Sequence, residues 1–121
     1  MAKTVLAQLI DIKETIKSGW CRHVYAIDSN GNMCSPNNPH ACMWCLTGAV
    51  EKQAYWNYAR IRSLEAKLCT QLKKVQRMSK TTTASARSLL QKFNDNKATT
   101  KRQVLGVIDR AINAERKRVK K

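Results

Sequence analysis

The stretch CSPNNPHACMWC, Cys34 to Cys45, sets three cysteines and a histidine within twelve residues. Thiolates and imidazoles are the ligands of zinc, which takes four of them in a tetrahedron, usually as two close pairs held by turns. Cys42 and Cys45 have the Cys-x-x-Cys spacing, and Cys34 with His40 would complete a set, with Cys21 and His23 nearby as substitutes. Against zinc stands the unusual spacing Cys34-x5-His40-x-Cys42. Cys42 and Cys45 also fall where a helical pattern is expected to have begun, on the face of Leu46 and Ala49. A free thiol packs well as a small hydrophobe. The alternative is therefore Cys45, with Cys42 beside it, buried near Trp44 and no cofactor at all.

The same residue types offer little to catalysis. A thiol nucleophile needs a base and an orienting partner. The two histidines, His23 and His40, are more simply surface or hairpin positions. The eight carboxylates include no close pair suited to acid-base division, and there is no phosphate-binding glycine loop or dinucleotide fingerprint. The expectation is a non-enzymatic protein with no catalytic residue.

Charge carries a stronger signal. The net charge is +15, and it is unevenly placed. Residues 1–50 hold Lys3, Lys13, Lys17 and Arg22 against Asp11, Glu14 and Asp28, a net of +1, whereas residues 51–121 hold 19 basic residues against five acids, a net of +14. Such an excess attracts polyanions by counterion release and steering. On a helical wheel through residues 51–80, Arg62, Lys73, Arg77 and Lys80 oppose the apolar stripe, and Arg60, Lys67 and Lys74 form a flanking row at steps of seven. Arg87, Lys92, Lys97, Lys101, Arg102 and Arg110 extend the excess, and Arg116, Lys117 and Arg118 lie in a basic C-terminal tail, residues 116–121. Exposed helix faces are often charged for solubility alone, but they usually interleave signs, and here glutamates are scarce. Tyr55, Trp56 and Tyr58 have the chemistry to stack on bases, Trp56 one turn before Arg60, although aromatics at this spacing more often face a core. No motif with a defined recognition helix is present, so contacts to the backbone of DNA or structured RNA are expected, with weak sequence preference.

These residues must be positioned by a mainly α single domain, residues 1–115, of four to five helices with one small β-hairpin near residues 22–35. Val5, Leu9, Ile12 and Ile16 recur at helical spacing over residues 3–18, and Gly19 follows as a helix-terminating glycine. Val24 to Ile27 followed by Asn30-Gly31 predicts a hairpin with a two-residue turn. Residues 41–78 lack proline and show the stripe Ile61, Leu64, Leu68, Leu72 and Val75, with Cys69 inside it. One long helix and two helices bent near Gly48 to Tyr55 both fit. A threonine of SKTTTA is expected to cap the next helix, FNDN to end it, and Thr100 with Gln103 to open the last as a capping box. No apolar run approaches the roughly 18–20 residues of a membrane span. With no signal-peptide pattern and an odd count of five cysteines, the expected setting is the cytoplasm.

The ordered signals resemble a small uncharacterised family found in bacteriophages and actinobacteria. The matching residues are Gly19 and Trp20, the turn at Gly31, Trp44, Cys45, Gly48 and Ala49, then Asn94 and Asp95, with Val104 and Leu105 in the last helix. The resemblance covers about residues 3–113 and implies a helical fold and a phage or bacterial origin, with the cytoplasm then that of a host. It carries no activity. The heavy positive charge, Cys34, His40 and Cys42 are departures from the family pattern. Two functions compete: a phage-type accessory protein that binds nucleic acid, or an inhibitor that binds an acidic host protein through the same charge.

Overall fold

The computed structural model describes residues 3–78 and 84–120. Helix α1 spans Val5–Ser18 and is opened by Thr4, whose hydroxyl accepts the Ala7 N–H at 3.1 Å. Its stripe of Leu9, Ile12 and Ile16 is completely buried, as the periodicity requires. Three short strands follow, β1 (Ala26–Asp28), β2 (Met33–Cys34) and β3 (Ala41–Trp44), in an antiparallel sheet ordered β2-β1-β3.

The expected hairpin is the β1–β2 pair, with Ala26 opposite Cys34. Its turn is one residue longer than Asn30-Gly31 suggests. Gly31 N–H donates to the Asp28 carbonyl at 3.0 Å and Asp28 N–H to the Asn32 carbonyl at 2.8 Å, with Gly31 at φ +83°. This is the three-residue loop with glycine in the left-handed position. The Asp28 carboxylate secures it by accepting the N–H groups of Asn30 and Asn32.

Strand β3 corrects the expectation that the helical pattern begins near residue 41. A two-stranded ribbon this short is marginal alone, and residues 41–44 instead pair with the free edge of β1. The remaining stretch divides into α2 (Leu46–Gln53) and α3 (Tyr58–Val75), so two helices are formed. The break comes after Gln53, within the expected stretch from Gly48 to Tyr55, and Gly48 itself does not break the helix. Gly48 lies within α2 because a Cβ there would sit 2.0 Å from the Tyr25 carbonyl oxygen. Gly19 has φ 179°, ordinary extended backbone, so the end of α1 does not demand glycine; the demand comes from the Cys42 carbonyl oxygen, 2.1 Å from where a Cβ would be.

Helix α4 (Ala86–Asp95) is capped by Ser85 rather than by a threonine; the threonines at 81–83 lie outside the described residues. Helix α5 (Lys101–Val119) opens with the expected Thr100–Gln103 capping box and runs beyond residue 115, so 116–119, expected as a frayed tail, are helical. Helix α3 packs between α4 and α5, while α1 packs on α5, α2 and β3. The fold is mainly α, with its core built from Leu9, Leu46, Leu64, Leu68, Leu90, Ile108 and their neighbours.

The buried Asn94 joins the pieces. Its Oδ1 accepts Trp20 Nε1–H at 2.7 Å and Leu46 N–H at 3.0 Å, and its Nδ2 donates to the Cys21 carbonyl at 3.1 Å. One side chain thus ties the end of α4 to the chain after α1 and to the start of α2. Among the described residues no helix is long and apolar enough to cross a membrane.

Candidate nucleic-acid interface

Whether the positive charge is available depends on what the carboxylates do. Six of them form salt bridges: Asp11 with Lys3, Asp109 with Lys13, Glu14 with Lys17, Glu115 with Lys67 and Arg118, and both Glu51 and Glu65 with Arg87. Asp28 and Asp95 accept backbone N–H groups, Asp95 from His23 at 2.9 Å. All eight acids are therefore engaged within the fold; of the four cations in residues 1–50, Lys3 and Lys17 pair with anions of the same stretch, Lys13 reaches Asp109 on α5, and Arg22 donates to the Thr99 carbonyl.

Five of the basic residues expected to form the interface are committed to structure. The Arg60 guanidinium donates to the Lys3 carbonyl at 2.8 Å and to Gln8 Oε1 at 2.5 Å, tying the start of α3 to α1. Lys67 and Arg118 share Glu115, at 3.0 and 2.5 Å. Arg87 lies between Glu51 and Glu65 and donates to the Tyr25 hydroxyl at 3.1 Å. Lys101 donates to the Lys17 carbonyl at 2.9 Å, joining the start of α5 to the end of α1. Lys80 lies outside the described residues.

Seven others, Lys73, Lys74, Arg77, Arg102, Arg110, Arg116 and Lys117, make no salt bridge among the described residues. Arg62, Lys92, Lys97 and Lys120 share that state, and all eleven come from α3, α4, α5 and the chain joining or ending them. The wheel needs one adjustment. Lys67 and Lys74 line a furrow between α3 and α5 together with Gln71, Glu115 and Arg118, while Arg62 on α3 and Arg77 just beyond its end are exposed. A larger groove of about 690 Å3 lies between the ends of α3 and α4 and the first half of α5, where Arg110 lines it.

Electrostatics separate the buried glutamates. Hydrogen bonding from Arg118 holds the Glu115 carboxyl below its usual value against the cost of burial, with Lys67 assisting. Burial pushes Glu65 up despite the facing charge of Arg87. For Arg87 burial acts downward, and the Glu51 hydrogen bond and the charges of Glu65 and Glu51 outweigh it, so its value rises. Arg87 is thus a fixed cation inside the fold.

Two backbone positions stand out. Trp56 has φ +62° and Arg77 has φ +53°, the left-handed region where glycine costs least. Arg77 occupies the position after the α3 cap, with Met78 N–H reaching back to the Lys73 carbonyl at 2.9 Å, a helix ending that usually carries glycine. Among the described residues the other such non-glycine residue, His23, is also exposed. Trp56 was a candidate for base stacking, and it lies 66% exposed beside Tyr55 and Tyr58 at ring-centroid distances of 5.0 and 6.4 Å. The three rings are on the surface and not in a core, because the α2–α3 connection ends the helical register that would have turned them inward.

The candidate zinc ligands are dispersed in environment. Cys34 is half-buried on β2, His40 and Cys42 are exposed, and Cys45 is buried as the residue capping α2, its Sγ accepting Gly48 N–H at 3.3 Å. The exposure of Cys42 departs from its expected place in the core and follows from its position on β3 rather than on a helix. Among the described residues no three His, Cys, Asp or Glu are grouped as metal ligands. Burial, with Cys45 nearby, pushes the Cys21 thiol up to about 12, which keeps it protonated.

The left-handed backbone at Arg77 and the groove between α3, α4 and α5 were not legible in the sequence. The one visible signal was Gly106 in mid-helix. No curated protein and no solved structure matches the chain. Residues 1–114 do match a family of unknown function, in agreement with the uncharacterised family that the ordered motifs pointed to. Of the motif residues, Trp20 and Asp95 hydrogen-bond to the buried Asn94, a structural centre. The chain belongs to the DUF6197 family, a family of unknown function.

Proposed function

We propose that this is a non-enzymatic, phage-type accessory protein of the cytoplasm that binds DNA or structured RNA through phosphate contacts from α3, α4 and α5. The observation that carries the reading is the division of charge: all eight carboxylates are engaged, and eleven cations on these helices and the chain joining or ending them make no salt bridge among the described residues. Left-handed backbone at Arg77 and Trp56 adds support, since strained backbone positions cluster at functional sites. A triple variant, Lys73→Glu with Arg77→Glu and Arg110→Glu, tests it by anisotropy against a duplex and a hairpin RNA. The reading expects a loss of at least tenfold with an unchanged circular-dichroism spectrum; unaltered affinity overturns it.

The exposed Tyr55, Trp56 and Tyr58 favour a second reading, an inhibitor that docks on an acidic host protein, because aromatic clusters are typical anchors of protein interfaces. Capture from cell extract with and without nuclease separates the two. A partner that survives nuclease and is lost with Trp56→Ala supports the second reading and removes the first.

A further inference from the structure

The groove between α3, α4 and α5 combines features that phosphate binding alone does not need. Its walls come from the end of α3, the end of α4 with the chain that follows, and the first half of α5. Phe93, Val75 and Val107 supply apolar surface, and Gln76, Asn96 and Gln103 supply amides. Two of these amides are fixed in orientation. The Asn96 side-chain oxygen accepts Ala98 N–H at 2.8 Å, and that of Gln103 accepts Thr100 N–H at 2.9 Å. Each therefore keeps its NH2 group, a double donor, without a partner among the described residues.

Resting on the nucleic-acid reading above, we infer that this groove accepts an unpaired base of a single strand, the apolar wall against its ring face and the amide donors toward acceptors on its edge. Charge complementarity selects this occupant. Arg110 lines the groove, while Arg77, Lys97 and Arg102 adjoin lining residues in sequence and make no salt bridge among the described residues, so phosphates on either side of an inserted base meet cations. The volume of about 690 Å3 falls within the roughly 300–1,000 Å3 of small-molecule sites. A stacked, paired base cannot enter such a groove, whereas an unstacked one presents both ring face and edge. The smaller cavity below Trp56 is less suited to this ligand, being bordered by the Glu51 carboxylate.

Gly106 provides the test. It lines the groove, and a Cβ added there meets nothing within 4 Å. Replacing a mid-helix glycine also favours the helix. Gly106→Leu therefore fills the groove without changing charge, and Gly106→Ala is the control that barely occupies it. Affinities are measured by anisotropy for a single-stranded oligonucleotide and for a paired duplex of the same length, at one salt concentration. The expected result is a loss of tenfold or more for the single strand with Gly106→Leu, duplex affinity within twofold, and a near-native Gly106→Ala. Equal effects on both ligands, or no effect on either, overturn the groove assignment while leaving phosphate binding standing. Failure of the unaltered protein to bind either ligand overturns both.

Discussion

Replacing Arg77 by glycine should make the protein more stable and a poorer ligand for polyanions at the same time. Arg77 has φ +53°, and an L-residue in this region bears a cost of about 1–2 kcal/mol that glycine avoids. Glycine also enlarges the entropy of the unfolded chain, returning about 0.4–1 kcal/mol of that gain. The net expectation is a stabilisation of about 1 kcal/mol, which for a domain of this size raises Tm by roughly 4 °C. The Arg77 side chain is exposed and has no salt bridge among the described residues, so little folded-state contact opposes the gain. Binding should move the other way. Losing one phosphate contact lowers the slope of log affinity on log salt by about 0.9. Thermal unfolding and anisotropy titrations at several salt concentrations measure both, with Arg77→Lys as the variant that keeps charge and strain together. A less stable Arg77→Gly refutes the helix-end reasoning, and a stable one with unchanged salt slope shows that Arg77 touches no phosphate.

Two further substitutions separate structural from surface roles. Glu115→Gln should cost roughly 1.5–3 kcal/mol at neutral pH by weakening charged hydrogen bonds to Lys67 and Arg118; because it frees two cations in the α3–α5 furrow, it should also tighten polyanion binding, both checked by urea unfolding and anisotropy. The Glu115 carboxyl is held low in the folded state, so its contribution is present above the unfolded carboxylate value and is lost as pH falls through the folded one; the variant should show a shallower acid limb in stability against pH. Gly48→Ala should destabilise by about 1–3 kcal/mol or more, since its Cβ meets the Tyr25 carbonyl at 2.0 Å, and a native Tm would contradict the close packing of α2 on the sheet.

Much of the helical frame was legible because it rests on local signals. The stripe Leu9, Ile12 and Ile16, the capping box at Thr100, and the Asn94–Asn96 helix end depend on residues within a turn of one another. Strand β3 was not legible, because Ala41–Trp44 pairs with β1 thirteen or more residues away in sequence and its short run carries no period of its own. The reason for Gly19 and Gly48 was hidden for the same cause: each serves a carbonyl from a distant segment. In the site, charge excess was visible but its availability was not. Arg60, Arg87 and Lys101 look like their neighbours in sequence, and only tertiary partners commit them to the fold. The exposure of Trp56 likewise depends on where α2 stops, which residue types alone left open.

The claim that the surface of α3, α4 and α5 serves as a polyanion-binding face is tested most directly by the equilibrium affinity for duplex DNA and hairpin RNA across a salt series. Six or more phosphate contacts, available from eleven cations that make no salt bridge among the described residues, give a slope of log affinity on log salt of about −5 or steeper for duplex. A slope near zero, or no binding at low salt, contradicts the account.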